Sequence, residues 1–168
     1  MSFSTHELSE IESIRNVARR YSHSLDRLDA DGMRAAYWPD SIDDHGPEFR
    51  GNSWDYVAVA AESHKRWRPS MHCLMNHIVE LDPGGVTARA EIYCVAYLFD
   101  ADRPVLHTWM GRYLDRYEKR GEEWRISERV CVHEGSREDD PLVTMPFPVE
   151  QFRQSSFDRP SAGRPIGP

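Results

Sequence analysis

The chain has 168 residues, of which 39% are hydrophobic and 29% charged, a composition typical of one soluble globular domain. Its formal net charge of -7 repels phosphate backbones and anionic lipid headgroups, which argues against nucleic acid and membrane surfaces as partners. No stretch approaches the roughly 18 uninterrupted apolar residues of a membrane-spanning helix, and the first ten residues lack the layout of a signal peptide. A cytoplasmic location is therefore expected.

Cysteine and aromatic content narrow the expected chemistry. Cys73, Cys94 and Cys131 are odd in number, widely spaced and set in apolar stretches, which indicates buried reduced thiols. The chain also contains five Trp, seven Tyr and six Phe residues, together with eight histidines. This excess of rings fits a pocket for a flat organic ligand, and it fits core and interface packing equally well.

The first part of the chain predicts helices. Ser4 and Glu7 match a capping box, and apolar residues then recur at steps of three and four as far as Leu28. Residues 29–32 interrupt this pattern, and Pro39 ends a second, short helical segment. We expect helices at residues 4–28, around 33–38 and at 53–67, with a short strand at 41–45 before the third helix.

The spacing of apolar residues then changes from 3.6 to 2, which predicts strands joined by hairpin turns. Long helices followed by long strands predict an α+β domain, in which a twisted antiparallel sheet curves around the helices and encloses a cavity. The four expected strands span residues 71–81, 86–99, 105–119 and 123–133.

A change in composition marks the end of the domain. The domain is expected to cover residues 1–135, and a proline-rich tail to cover residues 136–168, where six of the 11 prolines lie. The tail shows no periodic pattern. We expect it either to pack in extended form over the pocket or a partner, or to be disordered in its last stretch.

Four segments occur in a recognisable order: YSHSLDRLDADGMRAAYWPD at residues 21–40, RG at 50–51, MHCLMNHIVEL at 71–81 and GRYLDRYEKRGEEWRISERV at 111–130. In this order they resemble the SnoaL-like branch of the nuclear transport factor 2-like superfamily, over about residues 11–133. The resemblance implies a cone-shaped α+β barrel. Three N-terminal helices would pack in a curved sheet of four to six mostly antiparallel strands.

Within that branch the chain is similar to scytalone dehydratases and hexachlorocyclohexane dehydrochlorinases, which are cofactor-free lyases. These enzymes place an Asp of the first helix against a His of the strand after the third helix, and the matching positions are Asp26 and His72. The dehydrochlorinases also use an Arg of the last strand, which falls on Arg129. They have a Lys where this chain has Tyr21, and this departure argues against identical leaving-group chemistry. The resemblance thus implies three catalytic residues and no cofactor.

The Asp and His types suit this chemistry. A carboxylate that accepts one ring N–H of a neutral imidazole fixes its tautomer and stabilises the imidazolium formed when the other nitrogen takes a proton. A solvated Asp26 and an ordinary strand histidine at position 72 are the alternative. Arg129 either stabilises negative charge that develops in the reaction or pairs with a carboxylate of the adjacent strand. Strand alternation places His77 on the opposite face from His72, and metal-binding motifs are absent, so no metal site is expected.

Other aromatic and imidazole side chains are candidates for binding a substrate, with core packing as the alternative for each. Alternating rings along one strand are also expected to form an exposed stripe suited to a homodimer. The substrate-binding candidates are Tyr21, Trp38, His45, Tyr93, Tyr97 and His107. The stripe consists of His107, Trp109, Tyr113 and Tyr117.

The resemblance and the aromatic excess together predict a cofactor-independent lyase. It would act on a small hydroxylated aromatic compound and release water or a small fragment such as formaldehyde. Two alternatives stay open: an isomerase or polyketide cyclase of the SnoaL type, and a non-catalytic small subunit of a ring-hydroxylating dioxygenase. The expected assembly is a homodimer or a trimer.

Overall fold

The computed structural model describes residues 3–140, which form three α-helices and a six-stranded sheet, with the third helix between the second and third strands. The α+β class is confirmed. Residues 136–139, expected to belong to the tail, instead continue the last strand, and the tail from residue 141 onward lies outside the described residues. The helices are α1 (Thr5–Leu25), α2 (Ala30–Ala35) and α3 (Ser53–Ser63), and a short 3-10 helix follows at His64–Arg66. The strands are β1 (Tyr37–Asp44), β2 (Arg50–Asn52), β3 (Trp67–Leu81), β4 (Thr87–Asp100), β5 (Leu106–Arg120) and β6 (Glu123–Asp139).

The start of α1 follows the capping box in the sequence. The Ser4 hydroxyl accepts a hydrogen bond from the Glu7 N–H at 3.2 Å, and the Glu7 carboxylate accepts one from the Ser4 N–H at 2.7 Å. The helix ends at Leu25, three residues earlier than expected, so Asp26 is its C-cap. Within residues 3–140, no helix combines the length and the apolar character needed to cross a membrane. The side of α1 that faces the sheet buries Ile11, Ile14, Ala18, Tyr21 and Leu25.

Sheet pairing moves two predicted boundaries. Tyr37 begins β1 instead of continuing the second helix, because it pairs with Ile126 of β6. The third helix stops at Ser63, and Trp67 begins β3 opposite Asp100 of β4. In both places tertiary pairing overrides a local helical pattern.

The strands lie in the order β2-β1-β6-β5-β4-β3. All neighbours are antiparallel except β1 and β6, which are parallel. The four long strands therefore form the predicted meander, and β1 returns to pair with the last of them. Since α1 contacts both β3 and β6, the helices cover one face of the curved sheet. That concave face contains the core.

A β-bulge in β3 determines which histidines face the helices. Leu74 pairs with Cys94, and His77 pairs with Ile92, so β3 has one extra residue over this interval. The extra residue reverses the alternation of side chains, which places His72 and His77 on the same face. The expectation of opposite faces is wrong, because it assumed an unbroken ladder.

The aromatic stripe on β5 lies on the concave face. Tyr113 is 3% exposed and Tyr117 is 0% exposed. The expected exposed stripe for a homodimer is therefore wrong: alternation along β5 points these rings at the core. The convex face exposes other apolar side chains instead, namely Tyr93, Tyr97, Met110 and Leu114.

Arg129 has the largest fully buried side chain of the described residues. It lies directly opposite Asp115 across the β5–β6 ladder, and its Nε and Nη2 donate to the two carboxylate oxygens at 2.8 and 2.7 Å. The Tyr117 hydroxyl donates to the same carboxylate at 2.8 Å. Burial alone would lower the pKa of Arg129, but Asp115 raises it well above its ordinary value, so the pair is ionic.

Removing one partner of this pair should destabilise the fold severely. Arg129→Met leaves the Asp115 carboxylate buried without a counter-ion, and we expect the free energy of unfolding to fall by about 3–5 kcal/mol. The double variant Arg129→Met/Asp115→Leu should recover a large part of that loss, because no uncompensated charge is left. Urea unfolding measures the free energy of unfolding of the single and the double variant. A double variant no more stable than Arg129→Met would contradict this account.

Candidate active site

The helices and the concave sheet face enclose a cavity of about 610 Å³, a volume typical of small-molecule sites. Its wall includes Leu25 at the end of α1, the loop after β1, α3 and the inner face of β3 to β6. Four aromatic side chains lie on this wall: Tyr56, Trp67, Trp109 and Tyr113. Four of the eight histidines do so too: His45, His64, His72 and His133. Eight of the aromatic and imidazole rings noted in the sequence therefore converge on one space.

Asp26 and His72 meet at this cavity. The Nδ1 of His72 lies 2.7 Å from Oδ1 of Asp26, and the His72 backbone N–H donates to Oδ2 at 2.9 Å. The Ser70 hydroxyl donates to Oδ1 at 3.1 Å. Because Nδ1 faces the carboxylate, Nε2 is the ring nitrogen left for a ligand, and it has no partner within residues 3–140.

The end of α1 adds to the electrostatics of this pair. Asp26 directly follows the last helical residue, so its carboxylate lies at the negative end of the helix dipole. A carboxylate there is unfavourable unless donors surround it, and the three hydrogen bonds from Ser70 and His72 supply them. The helix end and the carboxylate can both stabilise an imidazolium that forms when Nε2 of His72 takes a proton.

His64 is a second imidazole near His72, with ring centroids 5.6 Å apart. It follows the last residue of α3, and its Nδ1 lies 3.0 Å from the Ala60 carbonyl oxygen, to which it donates. Burial lowers the pKa of His64 to about 4, and the neighbouring His72 contributes to the shift. His64 is therefore neutral near pH 7, with Nε2 as an acceptor for a ligand hydroxyl.

His45 and Asp43 form a second imidazole–carboxylate contact at the cavity, through Nδ1 and Oδ1. The His45 ring stacks on the Tyr56 ring, with centroids 4.1 Å apart and planes 18° apart. Asp43 is fully buried, and its other oxygen accepts a hydrogen bond from the Tyr37 hydroxyl at 2.9 Å. His45 is the one predicted substrate-binding residue on the cavity wall.

Arg129, a predicted catalytic residue, is not on the cavity wall in the described structure. Its guanidinium lies behind Tyr113, 4.1 Å from the ring centroid, and is held by Asp115. Tyr21 is also fully buried behind the wall, where its ring packs edge-on against Tyr37 at 5.4 Å. Arg129 therefore pairs with a carboxylate of the adjacent strand, which was its alternative role, and Tyr21 packs in the core, because a layer of rings lies between them and the cavity.

Four more predicted binding residues lie elsewhere. Trp38 lies between Arg120 and Arg125, each 4.7 Å from its ring, and donates to the Glu118 carbonyl oxygen. Alternation along β4 points Ala96 into the cavity and therefore places Tyr93 and Tyr97 on the convex face, 37% and 38% exposed. His107 shares the concave face but is not on the cavity wall: its ring centroid lies 4.9 Å from that of the wall residue Trp67, and its Nδ1 lies 3.0 Å from Glu138.

Several wall residues are absent from the sequence-based candidates. A signal for two of them exists, because Tyr56, Ala60 and His64 are four residues apart and share one face of α3. Cys131 is also on the wall, and burial raises the pKa of its thiol to about 12, so it is not a nucleophile at neutral pH. Within residues 3–140, no three His, Cys, Asp or Glu side chains are grouped to hold a metal ion.

Gly111 gives the Trp109 indole its place on the wall. A β-carbon at position 111 would lie 2.2 Å from the Val132 carbonyl oxygen and 2.3 Å from Cη2 of Trp109. The ladder shifts register between Met110 and Gly111, where β6 has one extra residue between His133 and Gly135, so this glycine lies opposite a bulge in β6. The indole occupies the space that any other side chain would need.

A comparison with protein families matches residues 6–130 to a SnoaL-like domain. The chain belongs to the SnoaL-like domain family. The predicted membership of this branch of the nuclear transport factor 2-like superfamily is thereby confirmed. No curated protein sequence is similar enough to count as a match.

Solved structures share the fold of this SnoaL-like protein at low sequence identity. A provisionally assigned scytalone dehydratase from Novosphingobium aromaticivorans is 18% identical, with a TM-score of 0.71 over 77% of this chain and 87% of that chain. A type-3 hexachlorocyclohexane dehydrochlorinase from Novosphingobium barchaimii is 12% identical, with a TM-score of 0.73 over 83% of this chain and 96% of that chain. A provisionally assigned aromatic ring hydroxylase from N. aromaticivorans is 15% identical, with a TM-score of 0.67 over 79% and 94%. These likenesses confirm the predicted cone fold.

The buried His64 should make folding sensitive to acid. Its pKa is about 4 in the folded protein and near 6.5 when exposed, so the unfolded chain binds more protons between these values. The free energy of unfolding should therefore fall as the pH is lowered from about 6.5 to 4. His64→Gln should weaken this dependence relative to the parent protein in urea unfolding at several pH values.

His23, exposed on α1, offers the matched control. His23→Gln should leave the pH dependence of the parent unchanged. Identical pH dependence in His64→Gln and the parent would contradict the assignment of His64 as a buried neutral imidazole.

Proposed function

We propose that this SnoaL-like protein is a cofactor-independent lyase that acts on a small hydroxylated aromatic compound. The observation that supports this most directly is the contact between Asp26 and His72 at an aromatic-lined cavity. Structural neighbours include a hexachlorocyclohexane dehydrochlorinase, which is an enzyme of the lyase type. We also propose a cytoplasmic homodimer or trimer, following the resemblance.

In the proposed reaction, Nε2 of His72 removes a proton from the substrate. Asp26 holds the Nδ1 proton and stabilises the resulting imidazolium, and the C-terminal end of α1 favours the same charge. For loss of water, the proton comes from carbon, and its electron pair forms a carbon–carbon double bond as the neighbouring carbon–oxygen bond breaks and the departing oxygen takes up a proton. For loss of formaldehyde, the proton comes from the hydroxyl of a hydroxymethyl group. Its electron pair forms the carbonyl of formaldehyde as the carbon–carbon bond breaks, and the His72 imidazolium returns the proton to the carbon left behind. Water or a small fragment such as formaldehyde is the expected second product.

The cavity wall favours a neutral aromatic substrate. Trp67 and Trp109 offer ring faces for stacking, and the lone pair on Nε2 of neutral His64 can accept a hydrogen bond from a phenol or alcohol. The described part of the wall contains one acidic side chain, Glu48, and one basic side chain, Arg66, so its fixed charges balance. The net charge of -7 also disfavours an anionic ligand.

An isomerase or cyclase is the second candidate, and membership of the SnoaL-like family favours it. The same proton removal by His72 would produce a carbanion that takes back a proton or attacks a carbonyl carbon. The mass of the product separates the two activities. A lyase lowers the mass by that of water or of the small fragment, whereas an isomerase or cyclase leaves it unchanged.

The test is a panel of aryl β-hydroxy ketones and arylpropane diols, incubated with the purified protein and analysed by mass spectrometry. For the compound that is converted, His72→Ala should lower turnover by about 10³-fold, because it removes the base. Asp26→Asn should lower turnover by about 10²–10⁴-fold, because the amide cannot stabilise the imidazolium. Circular dichroism checks that both variants remain folded.

His23→Ala is the control for histidine removal, since His23 is exposed on the same helix that ends at Asp26. It should retain the activity of the parent. Full activity of a folded His72→Ala variant would contradict the proposed function. Conversion without any loss of mass would favour the isomerase or cyclase.

A further inference from the structure

We propose that His45, held by Asp43, is the general acid of this site and that the group it protonates is a hydroxyl, which leaves as water. This inference rests on the proposed function and narrows it to a dehydration. It assigns a catalytic role to a residue that the sequence suggested only as part of a binding surface. Three features support this role: the orientation of the His45 ring, the buried charges of Asp43, Asp115 and Arg129, and the chemistry of the leaving group.

The His45 ring is positioned as a proton donor would be. Its Nδ1 contacts Asp43, and its flat stacking on Tyr56 fixes the ring plane. The backbone is held as well, because the His45 N–H donates to the Phe49 carbonyl oxygen at 2.8 Å. With Nδ1 committed to Asp43, Nε2 is the nitrogen that can reach a ligand, since His45 lies on the cavity wall.

Asp43 is in turn held by a buried chain of hydrogen bonds. The Tyr37 hydroxyl donates to Asp43 at 2.9 Å and accepts from Nη1 of Arg129 at 3.3 Å. Arg129 is bound to Asp115 through two further hydrogen bonds. Arg129 therefore acts on the cavity through Tyr37 and Asp43, as a positioning residue without contact to the substrate.

The buried charges next to His45 are complementary to an imidazolium. Asp43, Asp115 and Arg129 have side chains that are 0 to 3% exposed, which places two negative charges and one positive charge together in the core. Burial of an uncompensated charge is costly, and a second positive charge on the adjacent His45 balances the cluster. His64 has no hydrogen bond to a carboxylate among the described residues and is neutral. It can therefore accept a hydrogen bond at Nε2, whereas His45 is the imidazole placed to donate a proton.

The proposed step is an elimination of water across a carbon–carbon bond of the substrate. His72 takes a proton from the carbon next to the carbon that bears the hydroxyl, and a carbon–carbon double bond forms as the carbon–oxygen bond breaks. The leaving oxygen takes the Nε2 proton of His45 and departs as water. His72 then returns its proton to solvent and His45 takes one up, which restores the starting state.

The need for an acid identifies the leaving group. Hydroxide is a poor leaving group and requires protonation as it departs, whereas chloride leaves without a proton. Loss of formaldehyde also needs no proton on a departing oxygen. An imidazolium at His45 therefore accelerates dehydration specifically.

The experiment compares two leaving groups in the same protein. The probes are an aryl β-hydroxy ketone converted in the panel and the matching compound with chlorine in place of the β-hydroxyl. His45→Gln, which keeps a polar side chain without a transferable proton, should lower turnover of the hydroxy ketone by about 100-fold or more and that of the chloro ketone by less than about 3-fold. The ratio of the two rates is independent of how much of the variant is folded.

Two tyrosine variants test whether the buried cluster positions His45. Tyr37→Phe removes the hydrogen bond to Asp43 and should shift the rate ratio in the same direction as His45→Gln, by about 10-fold. Tyr117→Phe removes a hydrogen bond to Asp115 at the far end of the cluster and should leave the ratio as in the parent. A purely structural role of the cluster would change stability in both variants and the ratio in neither.

His72→Ala separates the failure of this inference from the failure of the proposed function. Turnover of both probes should fall in that variant, because each reaction begins with removal of the same proton. Loss of both rates in His72→Ala together with an unchanged rate ratio in His45→Gln would overturn the role of His45 alone. Unchanged rates in His72→Ala would overturn the proposed function itself.

Discussion

The ion pair between Arg129 and Asp115 is the interaction on which the interior of this protein depends. It joins β5 and β6 across the centre of the sheet, and three tyrosine rings pack around the guanidinium. A charge at this depth is tolerated only when its hydrogen bonds are complete, which forces Tyr37 and Tyr117 to point inward. The Tyr37 hydroxyl in turn donates to Asp43, and the other oxygen of Asp43 contacts the His45 ring. The core and the cavity wall are thus parts of one hydrogen-bonded system.

Two imidazole–carboxylate pairs approach the cavity from opposite ends of the sheet. Asp26 joins the end of α1 to β3 at one edge, and Asp43 lies in β1 next to the parallel β6. The curvature of the sheet allows strands so far apart in the order to face one space. An elimination needs groups on both sides of the bond that forms, one to take a proton and one to help the leaving group. This arrangement offers both.

Much of the fold follows from local patterns in the sequence. The capping box at Ser4 locates the start of α1, and period-2 alternation locates the four long strands. Patterns confined to a few residues were missed. β2 has only three residues, which is too short for a recognisable alternation, and it is defined by its pairing with β1. The bulge before His77 cannot be recognised in the sequence, because the alternation of residue types continues through it.

The family resemblance predicted the site better than the content of aromatic residues did. Asp26 and His72 came from the family resemblance, and the structure brings them together. Ring content alone could not separate the wall residue Trp109 from Tyr93, because the direction of a strand side chain depends on register and curvature. His64 was missed although the expected third helix places it on the same face as Tyr56, four residues after Ala60. The role of Arg129 could not be read from sequence, since the layer of rings between it and the cavity is a tertiary feature.

The glycine at position 111 has a consequence for the shape of the cavity wall. The indole of Trp109 can lie against β5 only because residue 111 has no side chain, and the nearest obstacle to a new one is the backbone oxygen of Val132, which cannot rotate away. An added methyl group would push the indole toward the cavity and shrink the accessible space. A residue with no side chain thereby fixes the position of a ring on the cavity wall, and the backbone of the neighbouring strand requires that residue to be glycine.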